Sequence, residues 1–169
     1  MKKLALFLLF LALVMGYCTA TFAAGTHTCG APVSVLPPYG TPNPALSTYT
    51  VTCNWTGDAI TGSVPSAVIT GTSPTDSPNL SGYYSYQIDI SPGTPSPTGY
   101  SMTLTFLVGS TPQDLMGGNG TGISSTAGSW QLLTSGGKGF RRNIGPITGN
   151  VTNTVAGAQG AYTLSFIPQ

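Results

Sequence analysis

Apolar and polar residues alternate with a period of two along several short segments of the chain. In "TYTVTC", Tyr49, Val51 and Cys53 fall on one side and threonines fall on the other. Three later segments follow this pattern, with apolar positions at Tyr84, Tyr86, Ile88 and Ile90, at Met102, Leu104, Phe106 and Val108, and at Tyr162, Leu164 and Phe166. Gly-, Pro- and Ser-rich turns bound these segments, and no helical spacing occurs beyond the N-terminal residues. The pattern predicts short strands in one all-β sandwich or barrel.

The N-terminal residues have the layout of a secretory signal peptide. A short basic start is followed by an apolar run that ends at Met15 and is too short to span a bilayer. Small residues around Ala24 suit a cleavage site. We therefore predict a signal peptide at residues 1–24 and one exported domain at residues 25–169.

Two cysteines, Cys29 and Cys53, remain once Cys18 leaves with the signal peptide. An even pair in an exported chain usually forms a disulfide. A metal site or a thiol nucleophile would need further groups, but His27 is the only histidine, glutamate is absent and the four aspartates are scattered. We interpret His27 as a solvated residue of a frayed terminus. The prediction is a disulfide in a protein that is not an enzyme and uses neither a metal nor a cofactor.

The chain is unusually poor in charge. Charged residues make up 5% of the sequence, against about 25% in ordinary domains. Such a chain lacks the basic footprint that nucleic-acid binding requires. Low charge also removes repulsion between copies, which suits a protein that packs against others. The cations beyond the signal peptide, Lys138, Arg141 and Arg142, are a candidate contact for an anionic surface or glycan, or alternatively a solvated strand end.

Three motifs follow one another along the exported domain. "YGTPNPALSTYTVTC" joins Tyr39-Gly40 and Pro44 to a threonine-rich strand that closes on the second cysteine. Residues 102–122 combine an alternating strand with a Gly- and Asp-containing loop, and residues 144–166 combine an Ile-Gly-Pro turn with a terminal strand. In this order the motifs resemble the family of spore coat protein U-like domains, which includes subunits of archaic chaperone–usher pili. The resemblance covers nearly the whole exported domain.

The resemblance implies an immunoglobulin-like, pilin-type β-sandwich that lacks one strand. In such domains a groove between open strand edges accepts a strand from a periplasmic chaperone and then from a neighbouring subunit. The candidate groove residues, which would be ordinary core in a complete sandwich, are Val33, Val35, Tyr162, Leu164 and Phe166. The implied partners are a periplasmic pilus chaperone, an outer-membrane usher and other pilus subunits.

The resemblance also implies a role as a secreted structural subunit of a bacterial surface fibre or coat. Such a subunit would pass through the periplasm to the cell surface and act in cell adhesion or biofilm formation. Polymerising relatives carry an apolar N-terminal extension, whereas only "GTHT" precedes Cys29, so we expect this subunit to accept a strand but not to donate one. The alternative is a stand-alone secreted lectin-like sandwich that stacks exposed aromatic residues on sugar rings. The aromatic candidates are Tyr83, Tyr84, Trp55 and Trp130.

Overall fold

The computed structural model describes residues 23–35, 47–94, 99–108, 110–123, 126–132 and 141–168. Most of the predicted signal peptide and the segment from Tyr39 to Pro44 lie outside these ranges. The described residues form the strands β1 (Thr26–Cys29), β2 (Val33–Val35), β3 (Thr48–Thr56), β4 (Ala67–Val68), β5 (Tyr84–Pro92), β6 (Ser101–Val108), β7 (Thr111–Asp114), β8 (Gly128–Gln131), β9 (Arg141–Arg142), β10 (Thr148–Thr152) and β11 (Gln159–Ile167). They contain no helix, and so none that is long and apolar enough to cross a membrane.

The strands form two antiparallel sheets. In the first sheet, β1 and β2 pair with one edge of β3, which is followed by β11, β5 and, on the far side of β5, β8 and β9. The second sheet has the order β4-β10-β6-β7. This arrangement confirms the all-β prediction and is consistent with a β-sandwich.

The core is built from the alternating positions that the sequence predicts. Met102, Leu104 and Phe106 of β6 are buried, and so is every second residue of β3 from Val51 to Trp55. The terminal strand contributes Tyr162, Leu164 and Phe166, which are likewise buried. The alternation ends early in β6, where Val108 is exposed. Burial of large apolar side chains from both sheets provides the main driving force for this fold.

A β-bulge at Tyr86 changes the phase of β5. Gln87 pairs with Ser165 and Ser85 pairs with Phe166, so Tyr86 is the extra residue between the two pairs. An extra residue moves the positions before it to the opposite face of the sheet. Ser85 is therefore fully buried, while Tyr84 and Tyr86 are only half-buried. The predicted alternation through the two tyrosines is wrong at this point.

Candidate functional site

A disulfide joins Cys29 to Cys53, as predicted. The two residues lie directly opposite each other on β1 and β3, and 24 residues separate them along the chain. Cys53 is completely buried. The bond therefore fixes the first strand of the first sheet to its neighbour.

The predicted groove residues lie on opposite faces of the first sheet. Directly paired residues share a face; Val33 is paired with Thr50, whereas Leu164 is paired with Val51. Because Thr50 and Val51 are consecutive in a strand, they point in opposite directions. Val33 and Val35 are 61% and 47% exposed, while Leu164 is fully buried.

The terminal strand also has no open edge. Residues Gln159 to Phe166 of β11 pair with β3 on one side, and Gly160 to Ile167 pair with β5 on the other. A strand with neighbours on both sides has no unpaired backbone for an incoming strand. The structure therefore does not assemble the five predicted residues into one groove, because β3 lies where an open edge of the last strand was expected.

Among the described residues, unpaired backbone is found instead along β2. Gly30 N–H donates to the carbonyl of Thr52 at 2.9 Å. The backbone N–H and C=O groups of successive residues point alternately to the two sides of an antiparallel strand. Those of Thr50 therefore point towards β2, as those of Thr52 do, and the backbone groups of Val33 and Val35 point towards β3. The N–H and C=O of Ser34 then point away from β3, and no described strand lies on that side. All three residues of β2 are exposed.

The outer edge of β7 is different, because it is closed to strand addition. Leu115 N–H donates to the carbonyl of Leu104 at 2.7 Å, so the alternation directs the backbone of Pro112 outward. Proline has no N–H to offer. The Pro112 carbonyl accepts a hydrogen bond from Gln113 Nε2 at 3.2 Å. Proline on an edge strand is a common device against edge-to-edge association.

His27 is buried between the two sheets, and its interpretation as a solvated residue is wrong. Its Nδ1 lies 3.0 Å from the carbonyl oxygen of Pro65, and its Nε2 lies 2.9 Å from the Tyr162 hydroxyl. A carbonyl only accepts, so Nδ1–H donates to Pro65 and Nε2 of the neutral ring accepts from Tyr162. Burial lowers the pKa of His27, against the opposing effect of the Pro65 carbonyl. The alternation of Thr26 to Cys29 could have revealed this, because it places His27 on the same face as the cysteine.

Three of the four scattered aspartates bind backbone N–H groups in turns. The Asp58 carboxylate accepts hydrogen bonds from the amides of Ile60, Thr61 and Ser63 at 2.7–2.8 Å, and from the Thr61 hydroxyl. These hydrogen bonds lower the pKa of Asp58, and the bond from the Thr61 hydroxyl has the largest effect. The carboxylates of Asp76 and Asp114 hold turn amides in the same way. These three aspartates thus stabilise loops.

The aromatic candidates do not form a sugar-binding platform among the described side chains. Trp55 is buried and packs against Tyr100, with their ring centroids 5.3 Å apart. Tyr83 makes an edge-on contact with Tyr49 at 5.7 Å. Tyr84 is half-buried, and the side chain of Trp130 lies outside the described part of the structure.

The basic candidates are only partly described. Arg142 is exposed on β9, where it pairs with Tyr84 of β5. Lys138 and the side chain of Arg141 lie outside the described residues. Within the ranges that the structure covers, no group of three or more His, Cys, Asp or Glu residues could hold a metal ion.

Comparison of the chain with protein-family models and curated proteins, and of its structure with solved structures, found no match.

Proposed function

We propose that the protein is an exported structural subunit of a bacterial surface fibre or coat, with an immunoglobulin-like, pilin-type fold. It joins its neighbours by strand addition and serves adhesion or biofilm formation. Its proposed partners are a periplasmic pilus chaperone, an outer-membrane usher and other subunits. The observation that carries this proposal is the outer edge of β2, which no described strand covers.

Strand addition requires unpaired backbone groups for affinity and accessible side chains for register. Along β2, Ser34 directs its N–H and C=O outward, and Val33 and Val35 are exposed beside it. An exposed apolar strand edge is an aggregation hazard for a protein that works alone. In a subunit, the same edge is an acceptor that a chaperone covers first and a neighbour covers later.

Two further features disfavour strand addition at two other edges of the sheets. The edge of β7 is closed by Pro112 and Gln113, and on β1 the Cys29 carbonyl accepts a hydrogen bond from the Thr70 hydroxyl at 3.3 Å. The Cys29–Cys53 disulfide fits an oxidising compartment such as the periplasm. Low charge limits repulsion between assembled copies.

The substitution Ser34→Pro tests the proposal. Proline removes the outward N–H of β2 and leaves the pairing of Val33 and Val35 with β3 intact, since edge strands tolerate proline on their solvent side. The wild type should form a one-to-one complex with a periplasmic pilus chaperone and bind a synthetic peptide that copies a pilin extension. Ser34→Pro should lose both interactions, while the control Ser34→Ala should keep them.

Size-exclusion chromatography measures the complexes, and circular dichroism checks that both variants fold. Hydrogen exchange on the wild type locates the contact, because the Ser34 amide should become protected when the peptide binds. A wild type that stays monomeric with both probes, or a Ser34→Pro variant that binds them normally, would overturn the proposal.

A further inference from the structure

The outer face of the first sheet carries rows of polar side chains across neighbouring strands, and all of them except Asp89 are uncharged. One row crosses four strands, because Thr52 pairs with Thr163, Thr163 with Asp89, and Asp89 with Ser129. A second row begins with Thr28 and Asn54, which pair across β1 and β3. We call this surface, formed by Thr28, Thr52, Asn54, Asp89, Ser129 and Thr163, the hydroxyl face.

The hydroxyl face is held rigidly. β3, β11 and β5 each have neighbours on both sides, and the disulfide fixes β1 to β3. Threonine side chains have restricted rotamers because they are branched at Cβ. The hydroxyls of Thr52 and Thr163 lie 2.9 Å apart and share a hydrogen bond. Strands are about 4.8 Å apart, so the four-strand row is about 14 Å long, the length of a short oligosaccharide.

The charge on this surface selects the class of partner. Asp89 carries the one formal charge of the hydroxyl face, and Gln87 Nε2 donates to both of its carboxylate oxygens, at 2.8 and 3.0 Å. None of the six residues of the hydroxyl face is a cation that would attract an anionic polymer, and the exposed Arg142 lies away from them, beside Tyr84 at the start of β5. Each hydroxyl both donates and accepts hydrogen bonds, and the Asn54 amide does the same through separate atoms. The hydroxyl groups of a sugar have this dual character too.

We propose that the hydroxyl face binds a neutral polysaccharide that lies across the strands. The six residues of the hydroxyl face do not include those of β2, so the interaction requires no assembly. Each contact exchanges a hydrogen bond with water for one with sugar, and the affinity of one domain is therefore low. Repetition of the domain along a surface would raise the overall avidity through multivalency.

Thr52→Val/Thr163→Val is the decisive variant. Valine keeps the branched shape and the strand propensity of threonine. The hydroxyls of Thr52 and Thr163 bond to each other, so removing both at once leaves no hydroxyl without its partner. The matched control is Thr103→Val, at an exposed position of β6 in the second sheet. Monomeric protein is mixed with insoluble neutral β-glucan, neutral chitin or alginate, and the unbound fraction is measured.

The wild type should bind at least one neutral polymer, equally well at low and high salt, because the contact involves no ion pair. The double variant should bind about tenfold more weakly, or by a larger factor, since each lost hydrogen bond is worth roughly threefold to tenfold in affinity. Thr103→Val should bind like the wild type.

Three results would overturn the proposal: no retention on either neutral polymer, equal binding by wild type and double variant, or salt-sensitive binding to alginate alone. The chaperone and peptide experiments on β2 use other probes and test a different residue, Ser34. A failure of polysaccharide binding therefore says nothing about strand addition at β2, and a failure of chaperone or peptide binding says nothing about the hydroxyl face.

Discussion

The Nε2 atom of His27 and the hydroxyl oxygen of Tyr162 lie 2.9 Å apart in the interior, although 135 residues separate them along the chain. The bond joins β1, an edge strand, to β11, a central strand of the same sheet. It also reaches the second sheet, because the Tyr162 hydroxyl is so close to Gly149 of β10 that no side chain would fit at that position. The neutral His27 ring thus helps to connect β1, β11 and the second sheet.

The stability of the protein should fall as the pH drops below the ordinary pKa of histidine. Burial lowers the pKa of His27 below 6.5 in the folded state, so in this range the unfolded chain binds a proton that the folded chain does not. Stability then decreases with falling pH. Urea unfolding from about pH 7.5 to about pH 5.5 should show this decline, since histidine titrates in that interval. His27→Gln should remove the slope, because the chain contains no other histidine. A flat wild-type profile would contradict the expectation.

Tyr162→Phe should destabilise the protein more than Tyr100→Phe does. Loss of the Tyr162 hydroxyl leaves Nε2 of His27 buried without a partner, which costs about 1–3 kcal/mol. The Tyr100 hydroxyl is also buried, but it has no hydrogen-bond partner among the described residues. Its removal should therefore cost less. Urea denaturation at a pH where His27 is neutral measures both variants, and equal losses would argue against the His27–Tyr162 bond.

Reduction of the disulfide should lower the free energy of unfolding by about 3 kcal/mol, the amount expected from loop entropy for a closure of this length. The loop spans a sequence separation of 24 residues. Unfolding of the oxidised protein is compared with that of Cys29→Ser/Cys53→Ala, and a reductant added to the double variant controls for other effects of the reagent. If the double variant unfolds at the wild-type urea concentration, the cross-link does not contribute to stability.

Asp58→Ala should loosen the turn between β3 and β4 without unfolding the sheets. The carboxylate accepts hydrogen bonds from the amides of Ile60, Thr61 and Ser63. Hydrogen exchange at these amides should accelerate in the variant, while exchange in β3 stays unchanged. The lowered pKa of Asp58 gives the pH dependence: the turn is held above the ordinary pKa of 3.8 and loosens as the pH falls through the lowered value. Unchanged exchange in the variant would show that other contacts hold the turn.

The strand pattern and the disulfide could be predicted from the sequence, because both depend on local information. Alternation places Met102 and Leu104 on one face wherever β6 lies in the sheet, and the two cysteines that follow the predicted signal peptide have one possible partner each. The Tyr86 bulge could not be predicted, since the partner strand determines where an extra residue is accommodated.

The orientation of β2 shows the same limit. Alternation gives Val33 and Val35 a common face but does not determine whether that face points inward. The pairing of Val33 with Thr50 decides it, and this pairing depends on the register between two separate segments. Apolar character alone suggested burial, so the groove was predicted from residues that the register places on opposite faces.

The position of β11 has a consequence for the order in which the protein folds. Among the described strands it comes last in the chain, yet it lies between β3 and β5 at the centre of its sheet. During synthesis, β3 leaves the ribosome long before the segment that completes its hydrogen bonding: Thr52 and Thr163 are 111 residues apart. Until that segment emerges, β3 and β5 have no common neighbour and the first sheet cannot close. Co-translational folding of the first sheet therefore cannot be complete until β11 has been synthesised.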